Sequence, residues 1–341
     1  MLKHPPAVPS RRHPLRALAL WLCAMLPSLP GCAHEGVHAP PTAPKAAPTK
    51  TVVLVHGMFM TPACWGPWVD ALQQQGYEVL APAWPAHDRT PAQARRAHPD
   101  PKLAAVDLAQ VVDHYRTIIR GLDEPPVLIG HSMGGLVVQI LLAEGLASAA
   151  IAIDAAPPKG VFTFNGKFLK SNGRVLRGSL DEPLDMDPER FAYVFVNAQP
   201  PAQQREIWES FAQPESRRVG RGATTEQGKV DFGAQRGPLL LVTGELDHAV
   251  PPVIGRKTFR RYGRANAYTE LREIAGADHW LIGSSKWREV FELSVSWLRA
   301  RGVAPTPAVR APADPASTPA EATSAAETAG APAEPAPAPA P

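Results

Sequence analysis

The sequence predicts an α/β fold: a mostly parallel sheet of about six strands flanked by helices, with a helical cap inserted after the fourth strand. Three observations carry this. Short apolar, β-branched runs recur between stretches with helical spacing of apolar residues. The run Pro126–Ile129 enters Gly130-His131-Ser132-Met133-Gly134-Gly135 and continues as an apolar helix. Proline also delimits the folded part. Of 39 prolines, ten lie in 1–50 and ten in 303–341, so residues 51–302 read as one domain, long enough to bury a sizeable core.

The chain opens with a basic segment around Arg11, Arg12 and Arg16, followed by a largely apolar stretch of 13 residues from Ala17 to Leu29. That is too short to span a bilayer and has the form of a signal peptide over residues 1–31. Leu29-Pro30-Gly31-Cys32 resembles a bacterial lipobox, although Pro30 is unusual there. The resemblance implies cleavage before Cys32 and acylation of its thiol. Ala33 in place of Asp then points to the outer membrane, facing the periplasm. An ordinary secretory signal, giving a soluble periplasmic or secreted protein, is the alternative. Ser10-Arg11-Arg12 resembles the start of a twin-arginine signal, but Pro14 departs from it.

Residues 32–50 are a Pro/Ala-rich tether, with too few apolar groups to offset ordering entropy. The tail, 303–341, is likewise Pro/Ala-rich and has the composition of a solvated spacer. The formal charge of +3 owes four cations to residues 1–31, and the rest of the chain holds 31 basic against 32 acidic groups. A nucleic-acid partner is therefore not expected. Metal-ligand spacings such as C-x-x-C are absent from the sequence, and no metal or cofactor is expected.

Within the domain, Thr51–Val55 is the first strand and ends at His56-Gly57. A helix over Cys64–Gln75 stops at Gly76, and Tyr77–Ala81 is the second strand. Residues 86–100 read as an irregular loop and Lys102–Arg120 as one long amphipathic helix. After the third strand, Leu136–Glu144 continues as a helix and Ala149–Ile153 is the fourth strand. Residues 157–236 break the alternation with two helices, Pro188–Asn197 and Pro201–Phe211, and are read as the cap. Pro238–Thr243 and Thr269–Ile274 are the fifth and sixth strands, separated by a helix over Pro252–Tyr262. Ser285–Arg301 closes the domain.

Ser132 lies in a G-x-S-x-G sequence between strand and helix. The sharp turn lifts its hydroxyl off the sheet edge, small glycines let strand and helix approach, and the helix start favours a developing oxyanion. A serine hydroxyl needs a base, and His279, in a loop after the last strand, is the expected one. Asp247, 32 residues earlier and also past a strand end, is the expected orienting acid. Glu245, Asp154 and Asp278 are its rivals, Asp154 being read rather as a brace for the elbow or cap. The N–H groups of Met58 and Met133 are expected to form the oxyanion hole. Phe59, Trp65 and Trp280 are assigned to a substrate pocket, with core packing as the competing explanation for Met58, Phe59 and Trp65.

The motifs HGMFMTPACW, GHSMGG, GELDHAVP and GADHW, in this order, resemble the α/β-hydrolase superfamily over residues 51–300. The first of them and Ala81-Pro82-Ala83-Trp84-Pro85 are similar to capped bacterial esterases and lipases and to plant methylesterases. The resemblance implies a serine esterase acting on a small-molecule or lipid ester. Two departures matter. The first two antiparallel strands of the full fold have no counterpart, because the tether runs straight into the first strand. Trp280 also stands where the related hydroxynitrile lyases carry Lys, which counts against lyase chemistry. The readings left open are an amidase, peptidase or acyltransferase with the same triad, and a non-catalytic surface-anchored binding protein. Sequence leaves the oligomeric state open.

Overall fold

The computed structural model describes residues 36–38, 49–263 and 267–305. Residues 1–35 and 306–341 lie outside these residues, and with them the expected signal peptide, the expected acylation at Cys32 and the expected spacer. Six parallel strands form the sheet: β2 (Thr51–Val55), β3 (Glu78–Leu80), β4 (Val127–His131), β5 (Ala149–Ile153), β6 (Leu239–Gly244) and β7 (Thr269–Ile274). The order is β1-β7-β6-β5-β4-β2-β3, where β1 (Gly36–His38) is a seventh strand. Strands β2, β4, β5 and β6 are buried along their whole length, which explains their unbroken apolar runs.

Strand β1 corrects the expected tether. It pairs antiparallel with β7, Gly36 opposite Leu271 and His38 opposite Thr269. Without it, β7 would present a free edge of N–H and C=O groups. The domain's ends also reach past 51 and 302. Val303 is fully buried, and its carbonyl accepts from the Thr49 N–H at 3.2 Å.

Helices cover both faces of the sheet, with α1 at Gly66–Gln74 after a short 3-10 turn. The irregular loop expected at 86–100 contains α2 (Pro91–Ala97), started by a capping box between Thr90 and Gln93. The single helix expected at 102–120 is two helices, α3 (Pro101–Ala105) and α4 (Leu108–Arg120). Asp107 between them is extended and caps α4 together with Gln110. Helix α5 (Met133–Ala143) is buried on nearly every side. Helices α10 (Pro252–Tyr262) and α11 (Trp287–Arg301) complete the layers.

The cap has four helices rather than two: α6 (Gly166–Leu176), α7 (Pro188–Val194), α8 (Pro201–Phe211) and α9 (Arg217–Gly222). Asn165 caps α6 and Ser216 caps α9. Among the described residues no helix is long and apolar enough to cross a membrane.

Candidate active site

Ser132 stands at the turn between β4 and α5 with φ 56° and ψ −119°, a conformation that costs a non-glycine residue about 1–3 kcal/mol. Its surroundings enforce the turn. The Ser132 N–H donates to the Ile153 carbonyl at 2.9 Å. A Cβ on Gly134 would lie 2.1 Å from the Val55 carbonyl oxygen, and one on Gly130 would lie 2.2 Å from that of Gly134. Only glycine lets β2, β4 and α5 meet this closely.

The structure brings Ser132, His279 and Asp247 together. Ser132 Oγ is 3.0 Å from His279 Nε2, and His279 Nδ1 is 2.7 Å from Asp247 Oδ2. A carboxylate only accepts, so the proton sits on Nδ1 and Nε2 is left to accept from the serine hydroxyl. Asp247 is held by the Val250 N–H, which donates to Oδ1 at 2.8 Å. His279 is fully buried and Ser132 is 9 % exposed. The imidazole is thus shielded from bulk solvent at the cavity wall, and the hydroxyl opens into the cavity.

The rival acids serve other purposes. Asp154 Oδ1 accepts from the Gly244 N–H at 2.7 Å, bracing the end of β6. Burial and the adjacent Asp247 raise its pKa well above the carboxylate range. Asp278 accepts from the Ala198 N–H at 2.8 Å and from the Gln199 side chain, tying the cap to the histidine loop. Burial raises its pKa, against the pull of these bonds. Glu245 Oε2 accepts from the Gly276 N–H. Among the described residues, His131, Asp154 and His279 are the one group of potential metal ligands. Both ring nitrogens of His279 are already engaged within the triad, and His131 Nε2 donates to the His279 carbonyl at 2.8 Å. Burial, then the neighbouring His279, holds the His131 pKa well below its ordinary value.

The loop after β2 passes against the serine: a Cβ on Gly57 would meet Ser132 Cβ at 2.7 Å. Met58 follows it, and Met133 opens α5, where backbone N–H groups lack intrahelical partners. Both line the cavity beside Ser132 and His279.

Sequence reasoning missed how this loop is held. Phe59 has φ 65°, and a segment of the cap grips it from both sides. The Phe59 N–H donates to Glu215 Oε2 at 3.2 Å, while the Gln213 N–H donates to the Phe59 carbonyl at 3.1 Å. Glu215 is fully buried and also accepts from His87 Nε2 at 3.1 Å and from the Ser216 N–H at 2.7 Å. His87 Nδ1 faces the Pro85 carbonyl at 3.0 Å. Both ring nitrogens of His87 thus face acceptors, an arrangement that favours the doubly protonated, charged ring. Burial opposes that charge, but the Glu215 carboxylate, its hydrogen bond, the Pro85 carbonyl and Asp88 outweigh it, and the pKa is raised. Beside it His56, stacked on Trp84, donates from Nδ1 to the Gly57 carbonyl at 2.9 Å. Burial, then His87, holds the His56 pKa well below its ordinary value.

The cavity at Ser132 measures about 340 Å³. Its walls include Met58, Phe59, Phe168, Val175, Phe195 and Ile254. This is the size and character of a small-molecule site. Phe59 lies in it as expected, but the two tryptophans do not. Trp65 is fully buried, edge-on to Trp68 at 5.6 Å, because its turn packs inward beneath the loop. Trp280 packs on Phe211 at 5.0 Å and lines a separate outer groove with Cys64. Their assignment to the pocket is therefore corrected.

No curated protein matches the chain in sequence. Among solved structures, a monoacylglycerol lipase of Paleococcus ferrophilus superposes with a TM-score of 0.53 at 20% identity, covering 80% of this chain and 100% of the lipase. An extracellular alpha/beta-hydrolase from a Paenibacillus species gives 0.55 at 23%, covering 73% and 98%. A methylesterase protein from Arabidopsis gives 0.55 at 17%, covering 74% and 100%. At these identities the likeness concerns the fold alone. A profile of the alpha/beta hydrolase family matches residues 52–293, most of the described domain, and the chain belongs to that family.

Proposed function

We propose that the chain is a serine hydrolase that cleaves carboxylic esters through an acyl-enzyme on Ser132. The observation that carries this is the Ser132–His279–Asp247 relay opening into an apolar cavity. Ser132 Oγ attacks the ester carbonyl as His279 Nε2 takes its proton, and Asp247 stabilises the imidazolium. The N–H groups of Met58 and Met133 receive the oxyanion. Collapse expels the alcohol with the proton from His279. A water activated by the same imidazole then attacks the acyl-enzyme and releases the acid. The walls of Phe, Val, Met and Ile favour an apolar acyl group, and the chemistry calls on no metal or cofactor. We place the enzyme outside the cytoplasm, anchored through Cys32, on the strength of the leader and the Leu29–Cys32 motif.

The test is hydrolysis of a chain-length series of p-nitrophenyl esters, with Ser132→Ala alongside. Turnover by the parent that falls by about 10⁴-fold or more in the variant supports the proposal. No ester turnover, with Ser132 still labelled by a fluorophosphonate, would shift the reading to amide cleavage or acyl transfer. Loss of both would leave a binding role.

A further inference from the structure

The cap carries a charged and apolar surface beyond the catalytic triad. Residues 159–178 hold five cations, Lys159, Lys167, Lys170, Arg174 and Arg177, and no carboxylate. Helix α6 turns Phe168, Ser171 and Val175 inward and leaves Lys167, Lys170 and Arg174 exposed. Among the described residues six large hydrophobic side chains are exposed, and four belong to this stretch: Phe162, Phe164, Leu169 and Leu176. Phe164 is 83% exposed and stacks edge-on with Phe162 at 4.7 Å. Exposed apolar side chains concentrated in one stretch mark an interaction surface.

The cations crowd one another. A groove of about 420 Å³ is lined by Lys170, Arg174, Arg177, Arg190 and Arg217 with Leu169 and two glycines, and no carboxylate lines it. The acids facing these cations sit at the margins of the groove: Asp187 lies 3.7 Å from Arg174, Asp181 pairs with Arg218, Glu226 pairs with Lys159, and Glu182 acts on Arg217. Burial, then the like charges of Arg174 and Arg221, lowers the Arg217 pKa. Across the aromatic pair, Lys257, Arg260 and Arg261 line a second groove with Phe162.

The position of the patch matters as much as its composition. Phe162 and Leu176 also line the Ser132 cavity, so the patch adjoins the substrate entrance. Strand β1 runs antiparallel to β7, and its Gly36 end points toward the edge of the sheet that carries the triad. Cys32 precedes Gly36 by four residues, at most ~14 Å of chain. The anchor proposed at Cys32 would thus be tethered within that reach of the Gly36 end.

We propose that this face of the cap docks on an anionic phospholipid surface. The apolar residues enter the headgroup boundary, the cations meet the phosphates, and the mouth of the cavity opens toward the bilayer. Docking is a property of the surface and stands apart from what Ser132 does.

The test is co-sedimentation of the chain from Ala33 onward, which keeps every described residue but lacks leader and anchor. Vesicles of phosphatidylcholine are compared with vesicles one third phosphatidylglycerol. The parent is expected to bind the anionic vesicles preferentially and to be released by salt. A chain combining Lys170→Glu, Arg174→Glu and Arg177→Glu is expected to lose at least about tenfold in affinity, and Phe164→Ser to bind more weakly than the parent. Unchanged thermal unfolding midpoints show that the variants fold. No preference for anionic vesicles, or equal binding by parent and charge-reversed chain, would overturn the proposal, and a protein partner would become the candidate occupant.

Discussion

Replacing Glu215 by alanine tests whether the cap builds part of the catalytic machinery. The carboxylate is fully buried and accepts from three donors: the Phe59 N–H, His87 Nε2 and the Ser216 N–H. Removing one partner of a buried ion pair costs about 3–5 kcal/mol, because the other charge is left behind. Each orphaned N–H adds about 1–3 kcal/mol, and loss of the His87 proton gives part of this back. A net destabilisation of at least about 3–5 kcal/mol is expected. Catalysis should suffer separately, since Phe59 directly follows Met58. Loss of a whole oxyanion donor costs about 10²–10³ in kcat. The Gln213 N–H and the Gln213 side chain still hold the Phe59 and Met60 carbonyls. The expected loss is therefore about 10–100-fold in kcat with KM nearly unchanged. Glu215→Gln cannot accept from all three donors and should fall between parent and alanine variant. Steady-state kinetics on a soluble ester and urea unfolding measure the two effects. An alanine variant within about 0.5 kcal/mol of the parent, with unaltered kcat, would refute the reasoning.

Three further outcomes are expected. Asp247→Asn should lower kcat roughly 10⁴-fold, because an amide can present a donor to His279 and favour the wrong tautomer. Asp154→Asn keeps an acceptor for Gly244 and should cost about tenfold or less, so kinetics on the pair assign the acid. Gly134→Ala would place a Cβ 2.1 Å from the Val55 oxygen and 2.5 Å from that of His56, and should destabilise by about 3 kcal/mol or more in urea unfolding. The His87–Glu215 pair makes stability depend on pH. With the His87 pKa raised in the folded state, its contribution is fully present below the unfolded value of about 6.5 and is lost as pH rises through the raised one. The urea midpoint of the parent should therefore drop on the alkaline side by more than that of His87→Gln.

How much of this was legible depended on how local the cause is. Strands β2, β4, β5 and β6 were readable because strands buried on both faces are largely apolar runs, whereas β3 and β7 were read from short runs between turn and helix signals. The elbow was readable because strand, glycines and helix are adjacent in sequence. Strand β1 was not: it is three residues of ordinary composition, and its partner lies more than 230 residues away. The break at Asp107 was written in Asp107 and Gln110, a capping pair hidden inside an apolar pattern that runs on past it. The tryptophans failed as pocket residues for a different reason. Aromatic identity marks burial but not direction, and Trp65 turns toward Trp68 rather than Ser132. Glu215 gave no local signal at all, since its meaning comes from Phe59, 156 residues earlier.

The backbone explains why the cap and the sheet act as one site. Among the described residues four non-glycine residues have positive φ: Phe59, Ala86, Ser132 and Asp154. Each costs about 1–3 kcal/mol, so each must be over-determined by its surroundings. The sheet secures two of them. Ser132 donates to Ile153 and is wedged by glycines, and Asp154 donates to Val242 while its side chain accepts from Gly244. Ala86 sits between Trp84 and His87, whose N–H donates to the Trp84 carbonyl at 3.0 Å. Phe59 has no such support from the sheet: its N–H and its carbonyl both bond to cap residues, Glu215 and Gln213. Because His87 shares Glu215 with Phe59, the strain at Phe59 is balanced by a buried pair that joins the cap to the loop after β3. The cap is thus a structural part of the loop proposed to receive the oxyanion, and a core stripped of it would lose both bonds that hold Phe59 in its left-handed turn.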